Sequence, residues 1–131
     1  MTGALKPCCL ALSVLLEQRL LALNEIGAQA HPARRWRFEL MYDCRLEVGH
    51  KRGNNRYPET VFELQRGMDL DVAFDAADQT FDVHLLASAN ADAPHLGTLL
   101  ESKAWTDAVQ ADLLLQLLIR DCGVGASATA G

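Results

Sequence analysis

Three side chains are placed to do chemistry together if the chain folds as its apolar pattern suggests: Glu63, Asp71 and His84. Apolar residues at every second position mark 60–65 (TVFELQ), 69–75 (DLDVAFD) and 80–88 (TFDVHLLAS) as strands. A four-residue loop at 76–79 sets Phe74 opposite Phe81, Val72 opposite Val83 and Leu70 opposite Leu85. A three-residue loop at 66–68 sets Leu64 opposite Leu70 and Phe62 opposite Val72. Both are common hairpin loop lengths. On the polar face these registers put Glu63 beside Asp71, and Asp71 beside His84. Directly opposed side chains approach to about 5 Å. Two adjacent carboxylates repel, which raises one pKa or draws in a cation, and an imidazole next to them can supply that charge. Two carboxylates and one nitrogen also make a weak divalent-metal site. The competing reading is an ordinary solvated sheet face.

A second set of polar residues lies in 49–58 (GHKRGNNRYP), where Lys51, Arg52 and Arg56 accompany His50 and Tyr57. Read as a loop, it suits contact with a phosphate or an acidic partner. It suits plain solvation equally well. Its charges are too few to argue for nucleic acid.

The third set comes from the longest regular pattern in the chain, 35–48 (RWRFELMYDCRLEV). Trp36, Phe38, Leu40, Tyr42, Cys44, Leu46 and Val48 alternate with mostly charged residues, which predicts one long strand. Strands usually run five or six residues. If Val48 pairs with Thr60, then Leu46 meets Phe62 and Cys44 meets Leu64, and residues 35–41 have no sequential neighbour. That leaves a bend or bulge, a curl of the sheet, or an open edge that takes a second chain. In the last case Arg35, Arg37, Phe38, Glu39 and Met41 form the docking edge for a protein partner or a second copy.

Composition narrows the field. The chain has 131 residues, half of them hydrophobic, enough for one folded domain. A formal net charge of −5 argues against general nucleic-acid binding and against docking on an anionic membrane. Cys8, Cys9, Cys44 and Cys122 form no C-x-x-C zinc or redox spacing, so the thiols read as reduced and the setting as cytoplasmic. No phosphate-binding glycine loop occurs, and no serine sits in a G-x-S-x-G elbow. No cofactor is implied. The apolar start of the chain lacks a small-residue cleavage site and is too short to cross a bilayer, so it reads as a core helix.

The elements that position these residues follow from spacing. Residues 8–26 read as a helix with Leu12, Leu16, Leu20 and Leu23 on one stripe, widened by Leu15 and Leu21, and with Gly27 as a C-terminal cap. Asn24 falls on its polar side. A C-terminal helix begins near Asp92 and Pro94, with a break near 102–106, and carries Leu96, Leu99, Leu100, Trp105, Val109 and Leu113. Gly123 ends it, and 124–131 reads as a disordered tail. The predicted class is α+β, in the order α-β-β-β-β-α: a four-stranded antiparallel meander with helices on one face.

In size, acidity and layout the chain resembles small bacterial secretion chaperones, although it lacks the helix that commonly interrupts their strands. The resemblance implies a non-enzymatic adaptor that holds a protein segment on its sheet. The alternative is a small enzyme or ligand-binding protein that uses the concave sheet face or the Glu63, Asp71 and His84 row.

Overall fold

The alternating stretch around Phe38 folds back on itself. A computed structural model describes residues 7–130, and residues 7–13, 42 and 123–130 by backbone alone. Strands β1 (Arg34–Met41) and β2 (Arg45–Arg52) form an antiparallel hairpin through one 3-10 turn at Tyr42–Cys44. Trp36 faces His50, Phe38 faces Val48 and Leu40 faces Leu46. The predicted single strand is therefore two. A turn of three residues keeps even positions opposite even ones, so the alternation passes through it unbroken. The turn is made by Asp43 at φ 60 and Cys44 at φ 58, in the left-handed region. Aspartate visits that region readily and cysteine rarely.

Strand β2 continues through the expected loop to Arg52. Gly53, at φ 59, and Asn54 then turn the chain into the short β3 (Asn55–Arg56). Strand β4 (Thr60–Glu63) pairs with the earlier half of β2, with Leu46 opposite Phe62 and Val48 opposite Thr60. The N–H of Leu64 donates to the Cys44 carbonyl at 2.9 Å. These neighbours are the ones expected from the sequence. The next hairpin is not: β4 does not pair with β5 (Asp69–Asp75). Instead β5, β6 (Thr80–Leu86) and β7 (His95–Ser102) form a second antiparallel sheet. Its first two strands have the predicted register, with Leu70 opposite Leu85, Val72 opposite Val83 and Phe74 opposite Phe81.

Strand β7 replaces the predicted start of the last helix. Leu96, Leu99 and Leu100 have helical spacing, yet a register shift in the β6–β7 pair, from Val83–Leu100 to His84–Thr98, lets both Leu99 and Leu100 be fully buried. The glycine at 97 admits the Phe62 ring, which lies 2.6 Å from where a Cβ would stand. Helix α2 (Trp105–Ala130) starts at the predicted break and continues past Gly123. The side chains of the 124–131 tail lie outside the described residues. The α+β class holds: an N-terminal helix, antiparallel sheets and a C-terminal helix.

Helix α1 (Pro7–Gln29) runs through Gly27 and lies along the outer edge of β1. Leu23 and Ile26 are buried there, whereas Leu15 and Leu21 are exposed. Asn24 turns inward rather than to solvent. Its side-chain amide donates to the Phe38 carbonyl at 2.9 Å and accepts the Phe38 N–H at 2.8 Å. Phe38 thus offers neither group to another strand. One turn on, a Cβ at Gly27 would overlap the Trp36 carbonyl and come within 3.1 Å of the Phe38 ring. Gly27 is a close-approach glycine, not a cap. Helix α2 packs on β5, β6 and β7 and against α1, with Ala108, Ala111, Leu115 and Leu118 buried.

Helix propensity alone favours alanine over glycine by about 1 kcal/mol. At Gly27 the close approach should reverse the sign. Gly27→Ala is expected to lower stability by about 1–3 kcal/mol in urea unfolding; a stabilised variant would contradict the docking of α1 on β1.

Candidate functional site

The β1–β2–β3 pairing brings two separately predicted sets together. Arg35 lies directly opposite Lys51, and Lys51 directly opposite Arg56. Arg37, two residues along β1, shares their face. These four cations border a groove of about 540 Å³, together with Asn24 and Ala28 of α1, Gly49 and Glu59. Among the described residues none of the four has a carboxylate within ion-pair distance. Like charges set opposite one another weaken a sheet by a few tenths of a kcal/mol to about 1 kcal/mol per pair. An anion laid in the groove would reverse that sign.

Behind the row stands an aromatic stack. The His50 ring lies between Trp36 and Tyr57, with ring centroids 4.6 Å away on each side and planes 24° and 10° from its own. The Arg52 guanidinium sits 5.0 Å from the Tyr57 ring centroid, in cation–π range. Tyr57 is held in place by its N–H, which donates to the His50 carbonyl at 3.0 Å. Burial pushes the His50 pKa below its ordinary value, and Arg52 adds to the shift while Glu101 opposes it. His31, beside the start of β1, is lowered in the same way by burial and by Arg34.

Glu101 of β7 ties the two sheets together. Its carboxylate is 2.7 Å from Arg34 and 3.6 Å from Arg52, whose positions face each other across the hairpin. The Lys103 N–H donates to the Ala30 carbonyl at 2.7 Å and its ammonium to the Asp78 carbonyl at 2.8 Å. The hairpin end is thereby fixed against β7, and a cleft of about 270 Å³ remains between them, bordered by Trp36, His50, Arg52, Thr60, Thr98 and Glu101.

The Glu63, Asp71 and His84 row is divided. Asp71 faces His84 as predicted. Glu63 lies in the other sheet, opposite Arg45 and 3.6 Å from it. The predicted metal set is thus not assembled, because β4 pairs with β2 rather than with β5. Among the described residues no group of three or more His, Cys, Asp or Glu is placed to hold a metal ion. His84 has His95 as a neighbour instead, with ring centroids 5.1 Å apart.

The predicted docking edge also changes character. Phe38 is 1% exposed and its edge groups are held by Asn24, while Arg35, Arg37, Glu39 and Met41 remain exposed. Of the basic residues, Lys51 and Arg56 join the groove and Arg52 turns to the cleft. The sequence places Asn24 only on the polar side of its helix and does not single out Glu101. The only signal for Asn24 was a polar, weakly helix-forming residue one turn before a glycine. Glu101 sat in what read as helix.

Burial and the neighbouring Cys44 thiol push the Cys122 pKa far up. The side chains of Cys8 and Cys9 lie outside the described residues. Trp105, which the sequence puts on the apolar stripe of the last helix, is 54% exposed and heads an exposed row with Val109 and Leu113 on α2. No helix among the described residues is long and apolar enough to cross a membrane. No family model, curated protein or solved structure matches this chain.

A lowered histidine pKa makes the unfolded chain the better proton acceptor. Stability from His50 is therefore full above about pH 6.5 and is lost as pH falls toward the folded pKa. His50→Phe keeps a flat ring in the stack and cannot protonate. Its melting temperature should fall less than that of the native protein between about pH 7.5 and pH 5.5. Parallel curves would show that His50 is not held neutral.

Proposed function

We propose that the protein is a non-enzymatic adaptor that holds an acidic segment of a partner protein in the groove bordered by Arg35, Arg37, Lys51 and Arg56. The observation that carries this reading is the row Arg35–Lys51–Arg56, three cations at directly opposed positions on three paired strands. Such a row costs stability in the free protein and gains it with an anion in place. The rest of the chain is acidic, with a net charge of −5. A long polyanion would meet that repulsion beyond the groove, whereas a short acidic segment would not.

A protein segment fits better than a free ion for a second reason. The apolar stripe Trp105, Val109 and Leu113 on α2, with Phe74 of β5 also exposed, offers further contact area of the kind that marks protein interaction sites. This agrees with the layout that resembles secretion chaperones, but the mode differs from strand addition: charged side chains on the sheet face make the contact while Asn24 keeps the β1 edge closed. The reading carries a cytoplasmic setting, supported by the free thiols of Cys44 and Cys122. A site at the Glu63, Asp71 and His84 row has weaker support, because Glu63 stands in the other sheet.

The test is fluorescence anisotropy with a labelled Glu- and Asp-rich peptide. Binding should weaken about tenfold or more between roughly 0.05 M and 0.5 M salt. The double variant Arg35→Glu, Lys51→Glu should lose it while melting as the native protein does. Binding that survives charge reversal would overturn the proposal, as would tighter binding of a single-stranded oligonucleotide.

A further inference from the structure

Behind the basic groove, the cleft between the hairpin and β7 holds donors that the protein leaves unused. Trp36 is 94% buried, since only 6% of its surface is exposed. Its indole Nε1 has no hydrogen-bond partner among the described residues. The same holds for Nε of Arg52 and Nε2 of His50, both buried atoms. All three residues border the cleft. A buried indole N–H ordinarily finds an acceptor, so three orphaned nitrogens on residues that border one cavity are not the usual state of a core.

We infer that this cleft binds the carboxylate of a small molecule, accepted from the indole N–H of Trp36, the Nε–H of Arg52 and the imidazole of His50.

The chemistry follows from the donor set. The indole N–H and the guanidinium can only donate, and an ionised carboxylate can only accept. The formal charges around the cleft balance, Arg34 and Arg52 against Glu101 and Asp78, and burial and Arg52 lower the His50 pKa, so the unused donors rather than a net charge select the ligand. Glu101 engages the Arg52 terminal nitrogen only at 3.6 Å, so the Nε–H edge of the guanidinium remains for a second acceptor. Thr60 and Thr98, on facing walls, can supply hydroxyls to the rest of the ligand. The volume, about 270 Å³, lies just below the usual range for ligand pockets and limits the occupant to a few heavy atoms. This site stands apart from the acidic-segment groove, although Trp36 and His50 border both cavities.

The chain has two tryptophans, and Trp105 is exposed, so it provides an internal reference. In a proton–nitrogen correlation spectrum of the labelled protein, sodium acetate is titrated at constant ionic strength against sodium chloride. The Trp36 indole signal should move and saturate in acetate alone, with the Trp105 signal still. The shift should persist in the Arg35→Glu, Lys51→Glu variant and disappear in Arg52→Gln. Equal or unsaturated movement of both indoles would overturn the inference. So would a Trp36 shift that chloride reproduces, or one that the groove variant abolishes, since the anion would then sit in the groove. The native-protein titration decides the matter even if Arg52→Gln does not fold.

Discussion

Two residues held at positive φ, Asp43 and Cys44, decide where every side chain of the first sheet goes. Left-handed backbone costs about 1–2 kcal/mol per residue without glycine. The hairpin they close buries Trp36, Phe38, Leu46 and Val48, each worth about 1.5–3 kcal/mol. Burial therefore outweighs the strain. The same turn sets the register, and the register sets the chemistry. Trp36 must face His50 for the aromatic stack to exist, and Arg35 must face Lys51 for the basic row. A slip of one residue would turn each of these side chains to the opposite face.

Once the hairpin exists, its outer strand is an exposed edge, a hazard for any sheet. The protein closes it with α1. The side-chain amide of Asn24 mimics a passing strand, taking one donor and one acceptor of Phe38. Gly27 lets the helix backbone come close enough for this to happen. What β1 shows to solvent is then mainly its charged outer face. Arg35 and Arg37 discourage pairing with another strand and at the same time border the groove. At the far end of the hairpin, Glu101 between Arg34 and Arg52 anchors the first sheet to the second. The two cavities lie on either side of the Trp36–His50 pair, one outside the sheet and basic, one between the sheets and lined by donors.

Much of this was legible in the sequence. The α+β class, both helices, the β5–β6 register and the pairing of Phe62 with Leu46 all follow from alternation and loop length. The turn at Tyr42–Cys44 was not legible, because three residues preserve parity and the segment contains no glycine, proline or asparagine. Only the improbable length of a single strand there pointed to a bend. Strand β7 was hidden for a different reason: the bulge at Leu99 buries two consecutive leucines, and consecutive burial imitates helical spacing. Read as helix, the segment does not bring Glu101 and Thr98 to the first sheet, and the inter-sheet cleft does not form. The individual residues of the basic groove were all visible. Their convergence was not, because it depends on the unseen turn. A three-residue hairpin at 66–68 would set Glu63 beside Asp71, but β4 ends at Glu63 and the chain crosses between sheets over residues 64–68.

The fold-back of β1 on β2 is the claim on which the groove, the stack and the cleft all rest. Because Asn24 takes the outward N–H and carbonyl of Phe38, Phe38 and Val48 form a pair without mutual hydrogen bonds, with Cα atoms about 4.5 Å apart. Nuclear Overhauser spectroscopy tests this directly. Strong contacts between the α-protons of Phe38 and Val48, and between those of Trp36 and His50, are expected. If those contacts are missing and the α-protons of residues 35–48 show the sequential pattern of one uninterrupted strand, the hairpin does not exist.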